Sequence, residues 1–286
     1  MARKLDCIVI GSGSAGSAAA RECRKAGMSV AVIDHRPPGG TCAQRGCIPK
    51  KVLAAAAAAA DGARRWDGAG LSAVLRVDWP ALRRFKETFT RSVPERTRDS
   101  FREKGIEFVE GSARFTGPAS IQVGRHVLTS DRFVVATGAR PAPLSIEGEE
   151  RLGTSDAFLA LDALPGGLVL AGGGYIGFEF AHVAARAGVE VTILQKHERF
   201  LPGFEPDLVD LLCARTRDLG VSLRPGHEVK AVEARAGGGV RVTANAAGKE
   251  ELFDADLALH SAGRVPDLDR LDLERAQVRV EGGSRS

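Results

Sequence analysis

Two stretches of the chain share one order of apolar, glycine-rich and polar positions. Residues 5–34 contain an apolar stretch, the turn GSGSAG, an alanine-containing segment and a second apolar stretch, SVAVID. Residues 167–195 repeat this order with GLVLAG, GGGYIG, another alanine-containing segment and VEVTILQ. Continuous apolar strands, as opposed to alternating ones, are typical of a parallel sheet that is covered on both faces. The pattern therefore predicts two β-α-β units and an α/β fold.

Further helices and short strands are predicted around these two units. The expected helices lie at about 49–65, 79–104 and 207–219, and the expected strands at 106–115, 121–128, 132–136, 229–232, 240–243 and 256–260. The glycines at 237–239 predict the turn of a hairpin. We expect two Rossmann-like nucleotide-binding domains, at 1–145 and 146–268, and a short further segment at 269–286.

The composition argues against several classes of protein. Of the 286 residues, 44% are hydrophobic and 27% are charged, which is typical of a soluble globular chain. No apolar run approaches the ~20 residues that cross a bilayer. The net charge is +4, but acidic and basic residues are interleaved, which disfavours nucleic-acid binding. Asp6 interrupts the start MARKLDCIVIGSG, so we interpret it as a buried strand and not a signal peptide, and we expect a cytoplasmic protein.

The two glycine-rich turns carry the signature of dinucleotide binding, because each follows an apolar strand and opens a helix. The first glycine makes the bend, the second lets a pyrophosphate approach the backbone, and the helix N-terminus supplies N–H groups to the phosphates. The residues expected to contact nucleotides are Gly11, Gly13, Ser14, Ala15 and Gly16 in the first turn, and Gly172, Gly174, Tyr175, Ile176 and Gly177 in the second. The alternative is two structural turns without a ligand.

The residue at the end of the second strand distinguishes the two expected nucleotides. Asp34 and Gln195 occupy this position, each 23 residues after the first glycine of its turn. The carboxylate of Asp34 is placed to accept hydrogen bonds from ribose hydroxyls and would repel a 2′-phosphate, which suits FAD. Gln195 removes this repulsion, and Lys196, His197 and Arg199 follow it, which favours NADP(H), although NAD(H) is not excluded. The alternative is that these cations belong to a solvated loop.

Cys42 and Cys47 are the cysteines expected to carry chemistry. Five residues of regular helix rise about 7.5 Å, more than the ~6.8 Å that separates the Cα atoms of bridged cysteines. Pro49 suits the first turn of a helix, so we expect Cys47 at a distorted helix entry and Cys42 on the preceding turn. A helix N-terminus next to Lys50 and Lys51 favours the thiolate form, and strain makes a disulfide easier to reduce.

Two other interpretations of this pair stay open, a zinc half-site and two unrelated thiols. Zinc needs two more ligands, and no second Cys pair or His pair stands at ligand spacing. Cys7, Cys23 and Cys213 are scattered along the chain and are predicted to be small apolar residues, buried or half-buried. Five cysteines in a chain of this length disfavour a secreted disulfide framework.

These motifs together make the sequence similar to a known family. It resembles the pyridine nucleotide–disulfide oxidoreductases, which include glutathione reductase, dihydrolipoamide dehydrogenase and mercuric reductase, from about residue 5 to residue 280. The resemblance rests on GSGSAG, GGTCAQRGCIPKK, GSARF at 111–115, ATGARP at 136–141, GGGYIGFEFA at 172–181 and AGRVPD at 262–267. Lys50 stands where most members carry a small residue, and Asp267 replaces a usual Asn.

The resemblance implies a role for several residues. Cys47 would face the flavin and Cys42 would attack the substrate, while Lys51 would lie near the flavin and pair with Glu179. Tyr175 would gate the nicotinamide pocket. Further residues expected to line the cofactors are Gly40, Thr41, Ala113, Thr137, Gly138, Gly263 and Arg264. The alternatives are a helix-surface role for Glu179 and a packing role for Tyr175.

The implied function is a relay of electrons. Hydride would pass from NADPH to FAD, then to the Cys42–Cys47 disulfide, and then to a small-molecule disulfide or a metal ion. The alternatives are a non-catalytic nucleotide-binding remnant and an NAD(P)H oxidase or diaphorase. By the same resemblance, 269–286 would return to the flavin domain, and we expect the chain to stop before the interface domain that supplies a His–Glu couple and the homodimer contact. The Lys50–Lys51 pair slightly favours a glutathione-reductase-like activity.

Overall fold

The computed structural model describes residues 3–70 and 76–280, which form two compact units. The first unit contains the described residues up to Ile48, Thr88–Arg140, and the described residues from Arg264 onward; the second contains the described part of Pro49–Glu87, and Pro141–Gly263. The described part of segment 49–87, which we expected in the first domain, therefore groups with the second unit. The reason is that Leu53 and Trp79 pack in that unit's hydrophobic core.

A parallel sheet forms the centre of the first unit. Its strands lie in the order Glu107–Glu110, Val30–Asp34, Cys7–Ile10 and Phe133–Val135. The helix Ser14–Lys25 connects the two central strands and packs on them through Ala20. The central strands are buried almost throughout, as their continuous apolar sequences require. The predicted α/β fold is confirmed.

A second sheet of the first unit has the strand order Arg3–Lys4, His126–Thr129, Ser120–Val123 and Ala113–Gly117. The single strand predicted at 106–115 is wrong: its two halves belong to different sheets, because Gly111 breaks the strand with a φ of 148°. Leu271 and Leu273 pack in the core of this unit, and Leu273–Ala276 form a 3₁₀ turn. The last six residues of the predicted segment 269–286 lie outside the described residues.

The helices between residues 40 and 103 differ from the prediction in two places, because Gly40–Arg45 was not expected to be helical and the helix expected at 79–104 is divided. They are Gly40–Arg45, Cys47–Arg64, Trp79–Thr90 and Val93–Glu103. The single helix predicted at 79–104 is therefore two helices. Pro94 lies in the first turn of the second one, where its missing N–H costs nothing, whereas the interior of a longer helix would lose a hydrogen bond there.

The second unit has its own parallel sheet, in the order Ser222–Arg224, Glu190–Leu194, Gly167–Ala171 and Leu257–His260. Its helices are Ser155–Ala160, Tyr175–Arg186 and Pro206–Asp218, with a 3₁₀ turn at Glu149–Arg151. Two further short strands are Ala139–Pro141 and Arg264–Pro266.

An antiparallel sheet of three strands, His227–Ala234, Val240–Ala246 and Lys249–Ala255, also belongs to the second unit. The hairpin predicted around 237–239 is confirmed. The sequence analysis missed the strand Lys249–Ala255 because its residues are mostly polar and exposed, so no apolar alternation marks them. Within the described ranges, none of the helices is both long enough and apolar enough to cross a bilayer.

Candidate functional site

The first glycine turn (residues 11–16) leaves no room for side chains at two of its glycines. Gly11 has a φ of +108°, and a Cβ there would lie 2.1 Å from the carbonyl oxygen of Ala136. A Cβ on Gly16 would lie 1.9 Å from the carbonyl oxygen of Gly11. The helix Ser14–Lys25 begins directly from this turn, and Gly13 caps it without a side-chain hydrogen bond. The turn therefore presents backbone N–H groups at a helix N-terminus, which suits a phosphate.

Asp34 ties the first turn to the end of its strand. Its Oδ2 accepts hydrogen bonds from the backbone N–H of Ser12 at 2.8 Å and from Ser12 Oγ at 2.6 Å. Its Oδ1 accepts one from the N–H of Arg36 at 3.0 Å. A carboxylate has about four acceptor sites, so Asp34 holds the turn in shape and keeps acceptor capacity for a ribose hydroxyl.

The segment that carries the cysteines lies on the first turn. A Cβ on Gly40 would lie 2.3 Å from the Cα of Gly13, and the N–H of Gly39 donates to Ser12 Oγ at 3.2 Å. Gly40 is also the first residue of the helix that contains Thr41 and Cys42. Only glycines permit this backbone contact, so the helix with Cys42 starts beside the turn.

Cys42 and Cys47 stand on either side of a break between two helices. Cys42 is half-buried in Gly40–Arg45, and Cys47 is exposed and begins Cys47–Arg64. A Cβ on Gly46, at the break, would lie 3.3 Å from the Cα of Cys42, so the chain folds back closely there. The expected helix entry at Cys47 is present, whereas the expectation of Cys42 on a turn is wrong, because one helical turn already forms before the break.

The second glycine turn (residues 172–177) repeats the construction of the first. Gly172 has a φ of +115°, and its Cβ would lie 2.4 Å from the backbone N of Ala262. The helix Tyr175–Arg186 begins from this turn with Gly174 as its cap. Gln195 Oε1 accepts a hydrogen bond from the N–H of Gly173 at 3.3 Å. In the first unit, Asp34 accepts the corresponding hydrogen bond from the N–H of Ser12.

Gln195 is buried, whereas the cations that follow it are exposed. Gln195 is only 8% exposed, and its Nε2 donates to the carbonyl of Arg199 at 3.0 Å, so its amide bonds are used inside the unit. Lys196 Nζ lies 3.1 Å from Glu228 Oε1, and the side chain of Lys196 is exposed. Hydrogen bonds from Lys230 and then Lys196 lower the pKa of Glu228. The side chain of Arg199 is exposed.

Lys50 makes the ion pair that we expected of Lys51. Its Nζ lies 2.5 Å from Glu179 Oε1, whereas Lys51 is exposed, so the expected Lys51–Glu179 pair is wrong in this structure. Consecutive helical residues point about 100° apart, and only one of two adjacent lysines can face Glu179. Tyr175 is 55% exposed one turn before Glu179 in the same helix, so it is not a core residue.

The match to a family model decides the assignment. Residues 5–285 match the family described as pyridine nucleotide-disulphide oxidoreductase. The chain belongs to this family.

The relatives of this chain have several different functional names. It is 36% identical to a soluble pyridine nucleotide transhydrogenase of Mycobacterium bovis, over 99% of this chain and 62% of that protein. It is 33% identical to a dihydrolipoyl dehydrogenase of Bacillus subtilis, over 96% of this chain and 60% of that protein. A solved structure, a Cu(II) complex of the HOCl-induced flavoprotein disulfide reductase RclA from Escherichia coli, matches with a TM-score of 0.84 at 28% identity. That match covers 98% of this chain and 61% of the other. The chain thus spans about 60% of the length of these relatives.

The other residues that the family resemblance predicts to line the cofactors do not all lie at one place. The backbone N of Thr137 would lie 3.2 Å from a Cβ on Gly11, so the segment with Thr137 and Gly138 borders the first turn. Ala113 is only 5% exposed and packs in a core of the first unit. Arg264 donates a hydrogen bond to the carbonyl of Ala139. The carbonyl of Gly263 accepts the N–H of Ala142 at 3.1 Å.

A cavity of about 410 Å³ in the second unit lies beside the Lys50–Glu179 pair. Apolar side chains, among them Ala57, Phe178 and Leu208, line most of it. Tyr175 also borders it, so the residue expected to gate the nicotinamide opens onto a space of ligand size.

No sequence pattern indicated an ionic cluster that lies in the second unit. The side chain of Asp61 is 9% exposed, and its Oδ2 lies 2.9 Å from Arg65, 2.8 Å from Arg215 and 3.5 Å from Arg186. Burial alone would raise the pKa of Asp61, but hydrogen bonds from Arg65 and Arg215 and the charge of Arg186 lower it to about 2. His182 joins the cluster through Arg186 NH1, 2.8 Å from its Nδ1.

His182 is held in its neutral form by this environment. Burial, followed by the charges of Arg186 and Arg215, lowers the pKa of His182 to about 4. Nothing in the spacing of these residues along the sequence marks the cluster, because Asp61 and Arg215 lie 154 residues apart.

Proposed function

We propose that this chain carries the nucleotide sites and the redox dithiol of a flavin-dependent NAD(P)H:disulfide oxidoreductase. FAD binds at the first glycine turn, NADP(H) binds at the second, and Cys42 with Cys47 passes electrons to a substrate. The proposal includes a cytoplasmic location, a small-molecule disulfide or metal-ion substrate, and a homodimer for the full-length protein.

The observation that carries the proposal is the contact of Gly40 with Gly13. A Cβ at Gly40 would lie 2.3 Å from the Cα of Gly13, and Cys42 follows two residues later in the helix that Gly40 begins. A dithiol held against a phosphate-binding turn is the arrangement that a flavin-to-disulfide electron path requires. It argues against two unrelated thiols.

The residues at the first turn fit a dinucleotide. A Cβ at Gly11 or Gly16 would overlap a backbone carbonyl oxygen, so these two glycines keep the turn tight, and its backbone N–H groups lie at the start of a helix, where a pyrophosphate fits. Asp34 repels an additional phosphate at the ribose, so an unphosphorylated adenosine fits this site. When bound, the flavin supplies a carrier that accepts a hydride and delivers two electrons.

The second turn favours NADP(H) through Lys196 and Arg199, which are exposed after the strand Glu190–Leu194. Lys196 shares its charge with Glu228, so Arg199 is the cation with more charge available for a 2′-phosphate. Arg199→Ala should raise the KM for NADPH about tenfold, because a charge-assisted bond contributes ~1.5 kcal/mol, and should leave the KM for NADH unchanged. Equal effects on both KM values would exclude this role.

The thiol chemistry follows from the placement of the two cysteines. Cys42 Sγ, as thiolate, attacks one sulfur of a disulfide substrate and displaces the other sulfur as a thiolate. Cys47 Sγ then attacks Cys42 Sγ, which releases the second substrate thiol and re-forms the Cys42–Cys47 disulfide. Lys50 orients Glu179, and Tyr175 excludes water from the nicotinamide site. A reduced dithiol is the starting state of each cycle.

The test combines flavin binding, reduction and thiol counting. The chain reconstituted with FAD is expected to be yellow, to bleach with anaerobic NADPH, and to gain two titratable thiols per chain. Cys42→Ser should abolish this gain and leave flavin reduction intact, whereas Cys213→Ser, a buried control, should change neither. A chain that refuses FAD would support the nucleotide-binding remnant. Full NADPH oxidation without any gain of thiols in the unmodified chain would support a diaphorase.

A further inference from the structure

A second pair of cysteines lies in the first unit, apart from Cys42 and Cys47. Cys7 begins the strand Cys7–Ile10, and Cys23 lies in the helix Ser14–Lys25. The Sγ atoms of Cys7 and Cys23 are 3.8 Å apart and form a thiol–thiol hydrogen bond. To form a disulfide, the two sulfurs must approach from 3.8 Å to about 2.05 Å.

The surroundings of the pair are apolar on the strand side. Cys7 is 2% exposed and packs with Val9, Val30 and Phe101. Burial, followed by the contact with Cys23, raises the pKa of Cys7 to about 11, so Cys7 is a neutral thiol at pH 7. Cys23 is half-buried, so it is the more accessible member of the pair.

We propose that Cys7 and Cys23 are a second oxidisable pair, which closes an intramolecular disulfide when hydrogen peroxide reaches the protein. The inference rests on the contact between the two sulfurs and the accessibility of one of them. It does not depend on the proposed function, because it involves neither nucleotide nor the Cys42–Cys47 pair.

The reaction proceeds in two balanced steps. The thiolate of Cys23 attacks one oxygen of hydrogen peroxide, the O–O bond breaks, and the leaving hydroxide takes up a proton to become water; Cys23 is now a sulfenic acid. The sulfur of Cys7 then attacks the Cys23 sulfur, the S–O bond breaks, and the second water leaves with the Cys7 proton. The two thiols lose two electrons and two protons, and the peroxide gains them.

The burial of Cys7 sets the order of events. A neutral buried thiol is a poor nucleophile, so the second step is slow, and the exposed Cys47 with Cys42 is oxidised first. The Cys7–Cys23 link therefore forms at higher peroxide exposure than the Cys42–Cys47 link. The two pairs respond to different degrees of oxidation.

The link would enclose the first glycine turn. Cys7 and Cys23 lie 16 residues apart in sequence, and residues 11–16 fall between them. A cross-link over a loop of this size constrains mainly the unfolded chain, and the expected rise in the melting temperature of the first unit is about 6 °C. Because Cys7 and Cys23 lie at the end of the strand–helix pair away from the turn, nucleotide binding should persist.

Peptide mapping tests the proposal on the unmodified chain. Trypsin places the five cysteines on five different peptides, with Cys7 in 5–21 and Cys23 in 22–24. After treatment of the reduced, folded protein with hydrogen peroxide, and alkylation of the remaining thiols, we expect a linked 5–21/22–24 species that lacks two hydrogens. Recovery of both peptides as alkylated thiols, under peroxide well above the exposure that fully oxidises Cys42 and Cys47, would overturn the proposal, as would Cys23 linked to another cysteine.

Variants give a second readout. Cys23→Ala should remove the linked species and the peroxide-induced rise in melting temperature, and Cys213→Ala, a buried cysteine of the second unit, should retain both. A rise that survives in Cys23→Ala would contradict the assignment of the link. If Cys23→Ala does not fold, the mapping of the unmodified chain still decides the question.

Discussion

Lys50 Nζ lies 2.5 Å from Glu179 Oε1, so the first of two adjacent lysines, and not the second, reaches the helix that opens from the second glycine turn. The pair joins the helices Cys47–Arg64 and Tyr175–Arg186 within the second unit. The side chains of Lys50 and Glu179 are 25% and 40% exposed, so the pair is partly accessible to solvent. The orientation of Glu179 therefore depends on Lys50.

Lys50→Ala is expected to lower the free energy of unfolding of the second unit by about 0.5 kcal/mol, the usual contribution of a partly exposed ion pair. Lys51→Ala, its exposed neighbour, should leave it unchanged. Urea unfolding followed by tryptophan fluorescence measures both, because Trp66 and Trp79 belong to the second unit. A double-mutant cycle with Glu179→Gln should show coupling to Lys50 only; coupling to Lys51 would assign the pair to the other lysine.

Asp61→Asn is expected to lower the free energy of unfolding of the second unit by about 3 kcal/mol at pH 6, because it removes the carboxylate that lies next to the largely buried charge of Arg186. The folded pKa of Asp61, about 2, lies below its ordinary value of 3.8. The stabilisation from ionised Asp61 is therefore present above pH 3.8 and is lost as the pH falls through 2, and amounts to about 2 kcal/mol.

Urea midpoints of the unmodified chain and of Asp61→Asn, taken between pH 6 and pH 2.5, check this pH dependence. The difference between the two proteins should shrink as the pH falls. A difference that stays constant over this range would show that the carboxylate charge does not stabilise the cluster. Asp67→Asn, an exposed aspartate close to the end of the same helix, is the matched control and should change neither value.

His182 is expected to make the second unit less stable as the pH falls from 6.5 to 4. Its folded pKa of about 4 lies below the ordinary 6.5, so in this range the unfolded chain binds a proton that the folded chain does not. The stabilisation is complete above pH 6.5 and decreases by up to about 3 kcal/mol toward pH 4. His182→Gln should remove this dependence, and His197→Gln, an exposed histidine, should retain it. Tryptophan-detected urea midpoints at pH 7 and pH 4.5 measure the effect.

Gly16→Ala is expected to disrupt the first glycine turn, because the new Cβ would lie 1.9 Å from the carbonyl oxygen of Gly11. We expect a loss of at least 2 kcal/mol of stability in the first unit and a loss of FAD binding, measured by the quenching of flavin fluorescence. Gly62→Ala is the control: its Cβ meets nothing within 4 Å in the helix Cys47–Arg64. It should stabilise by about 0.5 kcal/mol, as alanine does in a helix. FAD binding by Gly16→Ala at unchanged affinity would refute the role of this turn.

The sequence alone determined the elements that depend on local pattern. The two glycine turns, the helices that open from them and the strands on either side are specified by residues within about 30 positions of each other, so apolar periodicity and glycine placement predict them. The position of Cys47 at a helix entry was also predicted, because Pro49 acts on its immediate neighbours.

The tertiary structure decided which distant residues meet. The pairing of Lys50 with Glu179, the contact of Cys7 with Cys23, and the arginines around Asp61 depend on the packing of helices against sheets. A change of one residue turns a helical side chain by about 100°, so the choice between Lys50 and Lys51 is invisible in the sequence and fixed only when both helices are in place. The local sequence pattern specifies helices and strands because they form between residues that are close in sequence. The ion pairs and the cysteine contact join residues in different helices and strands, so they form only after those elements have packed.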